Sequence, residues 1–96
     1  MKHMNVVRLK VKPEHIDDYI QALKNQPAWE GRIETRTIRY GDNWFCGYGL
    51  WESREAMMAQ MQPMVSWLDT VRPMLEEISP ELGVTDPVSG GVIYER

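Results

Sequence analysis

The fold is decided by residues 44–78, which read WFCGYGLWESREAMMAQMQPMVSWLDTVRPMLEEI. The first part of this stretch is rich in aromatic side chains and predicts a strand. Ser53 then suits the N-cap of a helix that begins at about Arg54. Apolar residues follow at alternating spacings of four and three, which is the spacing of one buried helix stripe. They are Met57, Met61, Met64, Leu68, Val71, Leu75 and Ile78. Because the spacing keeps its phase through Pro63 and Pro73, it predicts one kinked, roughly coaxial helix.

The residues before this stretch predict a strand and a helix. Residues 4–12 alternate between apolar and polar side chains, which is the pattern of a half-buried strand. The apolar face of that strand carries Val7, Leu9 and Val11. Pro13 then fits the first turn of a helix that ends at residues 25–27, since the residue before a proline avoids helical geometry. The apolar stripe of that helix consists of Ile16, Tyr19, Ile20 and Leu23.

The rest of the chain supplies the remaining elements. Residues 32–40 and 44–52 form strand patterns on either side of a Gly-Asp-Asn sequence that is typical of a hairpin turn. The long helix is predicted to end near Ser79. We expect residues 81–91 to be irregular because they contain several glycines and a proline, and residues 92–95 to form a short terminal strand.

The order βαββαβ predicts a ferredoxin-like α+β sandwich that forms one domain over residues 1–96. A four-stranded antiparallel sheet would carry two helices on one face. Its other face would mix the apolar Val6 and Ile38 with five charged residues, namely Arg8, Lys10, Arg32, Glu34 and Arg36. A half-apolar open face on so short a chain predicts that the sheet pairs with a second copy of the protein.

Charge and composition narrow the classes of partner. The net charge of -3 and the absence of a Lys/Arg run speak against nucleic acid. No apolar run approaches the roughly 18 residues that a membrane span needs, and the N-terminus lacks the apolar core of a secretory signal. The lone Cys46, within a strand pattern, is typical of a cytoplasmic protein and of core packing. His3 and His15 have no further ligand at metal spacing, so neither a metal nor another cofactor is expected.

The junction Trp51-Glu52-Ser53-Arg54-Glu55-Ala56 resembles that of the antibiotic-biosynthesis-monooxygenase-like group of dimeric α/β barrel proteins. The opening strand, followed by Pro13-Glu14 and a helix with Tyr19, resembles the same group. The resemblance implies a ferredoxin-like fold whose sheets pair as a dimeric barrel, with a small-molecule cavity between sheet and helices. Members include cofactor-free oxygenases of polycyclic phenols, quinol oxygenases, haem-degrading enzymes and many proteins with no established activity.

The chain departs from two branches of this group. In the haem-degrading branch an Asn on the first strand and a Trp and a His on the second helix act, whereas the apparent matching positions here hold Val7 and Gln60. In the quinol-oxygenase-like branch a pair of His residues commonly follows the junction, near the places where Gln60 and Met64 stand here. Haem cleavage is therefore disfavoured, and the quinol-oxygenase interpretation is weakened.

Six residues are candidates for binding a small aromatic molecule: Val7, Tyr48, Trp51, Gln60, Met64 and Trp67. A cofactor-free oxygenase needs an apolar pocket for an electron-rich aromatic, a group that favours its anion, and polar groups that hold the reduced oxygen. Aromatic walls and a Met-rich helix suit such a pocket, although both are also typical of ordinary core packing. Gly47 and Gly49 would leave room for a ligand if they lie under the helices, and would otherwise ease dimer packing.

No charged residue is a convincing catalytic base. His15 is most simply a surface residue, and Asp69 is either a base near Trp67 or a solvent-facing carboxylate. The first two strands carry six basic residues that either hold an anionic ligand, or are solvated or pair across strands with Glu34 and Glu95. They are Arg8, Lys10, Lys12, Arg32, Arg36 and Arg39. The leading interpretation is a homodimer that carries out cofactor-independent monooxygenation of a small quinol or hydroxylated aromatic. The alternative is a ligand-binding or structural dimer without catalysis.

Overall fold

The first strand is the centre of the sheet in the computed structural model, which describes residues 1–96. It pairs with β3 (Trp44–Trp51) along one edge, and β3 pairs in turn with β2 (Arg32–Tyr40). The other edge is shared, because β4 (Leu75–Glu76) pairs with Lys10 and Val11 while β5 (Thr85–Gly91) pairs with His3 to Leu9. All of these pairings are antiparallel. The strands are β1 (His3–Val11), β2 (Arg32–Tyr40), β3 (Trp44–Trp51), β4 (Leu75–Glu76) and β5 (Thr85–Gly91).

Three α-helices connect the strands, namely α1 (Ile16–Lys24), α2 (Arg54–Ala59) and α3 (Met61–Val71). Short 3-10 turns precede α1 at Pro13–His15 and follow α3 at Arg72–Met74. Ser53 caps α2 as predicted, since its hydroxyl accepts a hydrogen bond of 3.0 Å from the backbone N–H of Ala56. None of the helices is long and apolar enough to cross a membrane.

One face of the sheet is covered by the helices and forms the core. Leu9, Val11 and Phe45 from the sheet pack against helix and turn residues, and the Tyr19 and Phe45 rings meet edge to face at 5.1 Å. A second cluster joins Trp51 to Met57 of α2 and to Trp29 of the loop before β2. The prediction of a ferredoxin-like α+β sandwich is confirmed, with the fourth strand position divided between β4 and β5.

The predicted long helix is wrong in its continuity and in its end. It breaks at Gln60, because Pro63 has no N–H to bond the carbonyl of Ala59, and Pro63 instead occupies the first turn of a new helix. The helix ends at Val71, and Leu75 lies in β4. Leu75 is nevertheless buried. Because a buried strand residue happens to stand where the helical pattern requires an apolar one, the pattern in the sequence runs on past the end of the helix.

The predicted end of the chain is also corrected. Thr85–Gly91 is a strand where the glycines and Pro87 predicted irregular structure, and residues 92–95 form no strand. Beyond β5, the pairing with the N-terminal segment continues for one backbone hydrogen bond, which the N–H of Val92 donates to the carbonyl of Lys2 at 2.9 Å. An edge strand tolerates Pro87 because one of its sides has no neighbour to bond. Thr85–Gly91 is therefore extended because it pairs with β1, and its own sequence does not favour a strand.

Candidate functional site

A cavity of about 420 Å³ lies between the helices and the covered face of the sheet. Its walls are mostly apolar and include Met57, Met61, Met64 and Trp67 from α2 and α3. Tyr19 and Leu23 of α1 form the opposite wall, and Val7 lies on the sheet. A cavity of this volume is of the size that holds small organic ligands. The Met-rich stripe that predicted a buried helix therefore also lines a ligand-sized space.

Gly47 and Gly49 lie under the helices, in the part of the cavity lining that the sheet provides. A Cβ added at Gly47 would lie 2.8 Å from Oγ1 of Thr37, and one at Gly49 would lie 2.7 Å from Oδ1 of Asn5. Both glycines and both neighbours line the cavity. The two glycines therefore make room for the side chains of Thr37 and Asn5, which themselves form part of the lining.

Asn5 of β1 presents an oriented amide to the cavity. The buried indole of Trp51 donates its Nε1–H to Oδ1 of Asn5 at 2.7 Å. Because an indole nitrogen is only a donor, the atom that it contacts must be the amide oxygen, and the Nδ2 group must point the other way. Nδ2 makes no hydrogen bond within the protein, so two N–H donors remain available to a ligand.

Arg32, at the start of β2, brings a positive charge to the same end of the cavity. Its Cδ would lie 3.3 Å from a Cβ at Gly49, the point that Asn5 also approaches. Its Nη1 donates to Oε1 of Gln26 at 3.0 Å, and its guanidinium carbon stands 4.7 Å from the centre of the Trp29 ring. Burial lowers the pKa of Arg32. We call Asn5, Gln26 and Arg32 the polar end of the cavity.

The loop that carries Arg32 depends on Gly31. Its φ of 89° lies in the left-handed region, and an added Cβ would come within 2.8 Å of the Cβ of Ala56. Only glycine combines that backbone conformation with so close an approach to α2. The chain can therefore turn directly from Trp29 into Arg32 beneath the helices.

The cavity contains no side chain suited to be a general base. Arg32 is the single charged residue in its lining, and no Asp, Glu, His, Lys or Cys contributes to it. Tyr19 stays protonated near neutral pH because burial raises the pKa of its hydroxyl to about 12. His15 and Asp69 make exposed pairs with Asp18 and Arg72 instead. The carboxylate that sequence placed near Trp67 is thus a solvent-facing one.

Four of the six predicted site residues lie in the cavity lining, and two lie outside it. Val7, Met64 and Trp67 line the cavity. Trp51 is fully buried behind the lining and acts through its hydrogen bond to Asn5. Gln60 ends α2 and does not reach the lining. Tyr48 borders the cavity, but its hydroxyl is bonded elsewhere.

The hydroxyl of Tyr48 lies on the open face of the sheet with two charged residues of β2. It donates to Glu34 and accepts from Nη1 of Arg36 at 2.9 Å. The hydrogen bond from Tyr48, followed by Arg36, lowers the pKa of Glu34. Because neighbouring strand residues point to opposite faces, Tyr48 could not share the face of Gly47 and Gly49.

Sequence reasoning missed Asn5, Gln26 and Trp29. It considered an anionic ligand for the basic residues that include Arg32, but it placed Arg32 on the open face with Glu34, whereas the irregular register between these two residues lets Arg32 line the cavity. One signal was present, since Asn5 is the polar residue on the strand face that also carries Val7, Leu9 and Val11. The comparison with the haem-degrading branch placed Val7 at the position of the first-strand Asn. The structure shows an Asn on that strand and face, two residues earlier. Trp29 and Arg32 lie around a loop, where no periodic pattern points to a cavity.

The burial of Tyr19 gives a testable pH dependence. The pKa of its hydroxyl is raised from 10.0 to about 12 in the folded protein, so the unfolded chain loses this proton first. The stability that it contributes is complete below pH 10 and is lost as the pH rises towards 12. A pKa difference of this size corresponds to about 2–3 kcal/mol.

Chemical denaturation of the wild type and of Tyr19→Phe between pH 9 and 12 measures this contribution. We expect the stability of the wild type relative to Tyr19→Phe to fall by ~2 kcal/mol over that range. The titration of the other tyrosines and of the lysines changes the stability of both proteins equally, so it cancels in the difference. A difference that stays constant up to pH 12 would show that the hydroxyl is hydrated.

Comparisons with known proteins support the fold. No protein-family model and no curated protein sequence matches the chain. Among solved structures it resembles a candidate antibiotic biosynthesis monooxygenase from Chloroflexus aurantiacus, with a TM-score of 0.78 and 11% identity over 100% of this chain and 97% of that one. The chain has the fold of that protein.

Two further structures have the same fold. A mutant of SnoaB, a cofactor-independent oxygenase from Streptomyces nogalater, gives a TM-score of 0.72 and 11% identity over 98% of this chain and 95% of that one. A protein of unknown function from Nitrosomonas europaea gives a TM-score of 0.77 and 16% identity over 99% of this chain and 92% of that one. The resemblance inferred from the junction at Trp51 is therefore confirmed in the fold.

Proposed function

We propose that the chain is a cofactor-independent monooxygenase that acts on a small hydroxylated aromatic in the cavity. The observation that carries this proposal is the Asn5 amide in the lining of an apolar, Met-rich cavity, where Trp51 bonds its Oδ1 and the Nδ2 donors have no partner within the protein. Donors fixed in an apolar site stabilise developing negative charge more strongly than water does. The fold shared with a cofactor-independent oxygenase supports the same chemistry.

The reaction needs no external electron donor. A phenol with a free para position gives one electron to O₂, and the resulting ring radical and superoxide combine into a ring-bound peroxide. Loss of water leaves a quinone, so the phenol and O₂ become the quinone and H₂O. In this scheme Nδ2 of Asn5 donates to the superoxide and peroxide oxygens.

Oxygen uptake tests the activity. The purified protein is mixed with naphthol, anthrone-type compounds and quinols, and both O₂ consumption and quinone formation are followed. We expect quinone and consumed O₂ in equal amounts with at least one compound. Heat-denatured protein corrects for autoxidation. Uptake that does not exceed this background with any compound would contradict the proposal.

Ligand binding without catalysis is the second candidate. It is favoured by the lining itself, which contains no Asp, Glu or His that could take a proton from a substrate. Under this alternative the same aromatics bind with measurable affinity, but no oxygen is consumed. Calorimetric titration under nitrogen, run beside the uptake assay, separates the two functions.

We also propose that a second copy of the protein covers the open face of the sheet. This face exposes Ile38 and Val88, whose side chains are 61% and 65% accessible. Its charges are already paired within the chain, for example Arg8 with Asp86 at 2.9 Å. Because its charges are paired within the chain, this face has little attraction for a charged partner. Its exposed apolar side chains can instead be buried against the same face of a second copy.

Analytical ultracentrifugation at micromolar concentration tests this pairing. We expect a dimer for the wild type and for Ile93→Glu, because Ile93 is exposed and lies beyond the end of β5. Val88→Glu places two added carboxylates at the interface and should weaken association by about tenfold or more. A wild-type monomer, or a Val88→Glu protein that associates as strongly as the wild type, contradicts the dimer.

A further inference from the structure

The polar end of the cavity contains a positive charge that the protein does not neutralise. Arg32 pairs with no carboxylate, whereas Arg8, Arg36 and Arg72 each pair with one. The interactions of its guanidinium are with a neutral amide, Gln26, and with the face of the Trp29 ring. One guanidinium carries five N–H donors, so most of them remain available.

The surroundings of Arg32 differ from those of a solvated arginine. Its side chain is half-buried and crosses the covered face of the sheet above Gly49, next to Asn5. It is the only charged side chain in the cavity lining. A charge that is partly removed from water is stabilised by an opposite charge or by several hydrogen bonds, and here the protein supplies neither in full.

We infer that the cavity selects aromatic anions and that the guanidinium of Arg32 binds the ionised oxygen of the ligand. The inference rests on the proposed function for the aromatic part of the ligand and adds its charge. The aromatic ring occupies the space beside Met64 and Trp67, and its oxygen lies at the polar end. A planar guanidinium suits either a carboxylate or a phenolate, since both offer an anionic oxygen at the edge of a flat group.

This assignment accounts for the missing base. A substrate that binds already ionised needs no side chain to remove its proton, and a nearby positive charge lowers the pKa of a bound phenol. The phenolate is also the form that gives an electron to O₂ more readily. Arg32 would then be the residue that determines specificity, while Asn5 contacts the oxygen species.

The test compares ligands that differ only in charge. Calorimetric titrations under nitrogen use naphthoate against naphthamide, and para-nitrophenol against para-nitroanisole. We expect the anion of at least one pair to bind about tenfold or more tightly than its neutral partner, as charge-assisted hydrogen bonds do. The pair that shows the preference identifies the ligand as a carboxylate or a phenolate. Equal affinity within both pairs would overturn the inference.

Variants of the protein locate the effect. Arg32→Met keeps an unbranched side chain over Gly49 and should abolish the preference for the anion, whereas Arg32→Lys keeps the charge and should retain part of it. Arg39→Met is the matched control, because Arg39 bonds the carbonyl of Asp42 in the hairpin and does not line the cavity. An unchanged preference in Arg32→Met overturns the assignment.

The outcome is independent of the oxygenase proposal. Selective binding of anions without oxygen uptake would keep this inference and reject the activity. Oxygen uptake with a neutral substrate, without a preference for anions, would keep the oxygenase activity and reject this inference.

Discussion

The substitution Asn5→Ala is expected to lower kcat for oxygen uptake by about a hundredfold or more, with little change in KM for the aromatic substrate. The reason is that Nδ2 of Asn5 donates to oxygen species that exist only after the aromatic has bound. The substitution also leaves the indole N–H of Trp51 without its acceptor. Steady-state oxygen electrode measurements on both proteins give the two constants.

A second variant separates the donor from the structural hydrogen bond. Asn5→Asp keeps an oxygen to accept from Trp51 but replaces the Nδ2 donors by an acceptor. We expect it to lose activity like Asn5→Ala while its indole hydrogen bond survives. Full activity in Asn5→Asp would mean that the amide donors have no part in the reaction.

The substitution Trp51→Ala is expected to reduce the free energy of unfolding by about 3–5 kcal/mol, the range measured for large-to-small changes in cores. Trp51 is fully buried between Trp29 and Met57, so its removal leaves a void that this second core cluster cannot easily fill. Urea unfolding followed by circular dichroism measures the change.

Trp51→Phe is the matched control, because it keeps most of the apolar volume and removes the N–H. We expect it to cost about 1–2 kcal/mol and to release the Asn5 amide from its fixed orientation. If Trp51→Ala costs less than about 1 kcal/mol, the second core cluster does not stabilise the fold as described.

The sequence predicted those elements whose pattern is local. β2 was predicted with the bounds that it has, Arg32–Tyr40, because alternation and the Gly-Asp-Asn turn define both of its ends. The start of α2 followed from Ser53, whose side chain determines the cap without any distant partner. Where short-range chemistry suffices, the sequence is informative.

Elements that depend on distant partners were predicted poorly. Thr85–Gly91 contains Pro87 and two glycines and forms a strand because the edge of β1 offers it hydrogen bonds. The end of α3 was missed because Leu75 is buried whether residue 75 is helical or extended. The spacing of apolar residues shows which positions are buried. At residue 75 that spacing fits a helix and a strand equally well.

The site shows the same division. The Met-rich and aromatic stripe of α2 and α3 predicted that Met64 and Trp67 bind a ligand, and both residues line the cavity, although their contact with a ligand stays a prediction. The polar end was not predicted, since Asn5, Gln26 and Arg32 come from three separate segments that only the tertiary fold joins. Tyr48 was assigned to the ligand without knowledge of the strand's orientation, and its hydroxyl lies on the other face.

A crystal structure of the protein with naphthol, grown under nitrogen so that the ligand is not oxidised, tests the central claim most directly. We predict that the ring lies in the cavity beside Met64 and Trp67, with its oxygen about 2.7–3.2 Å from a guanidinium nitrogen of Arg32. Naphthol bound elsewhere, or a cavity filled by repacked side chains, would contradict it.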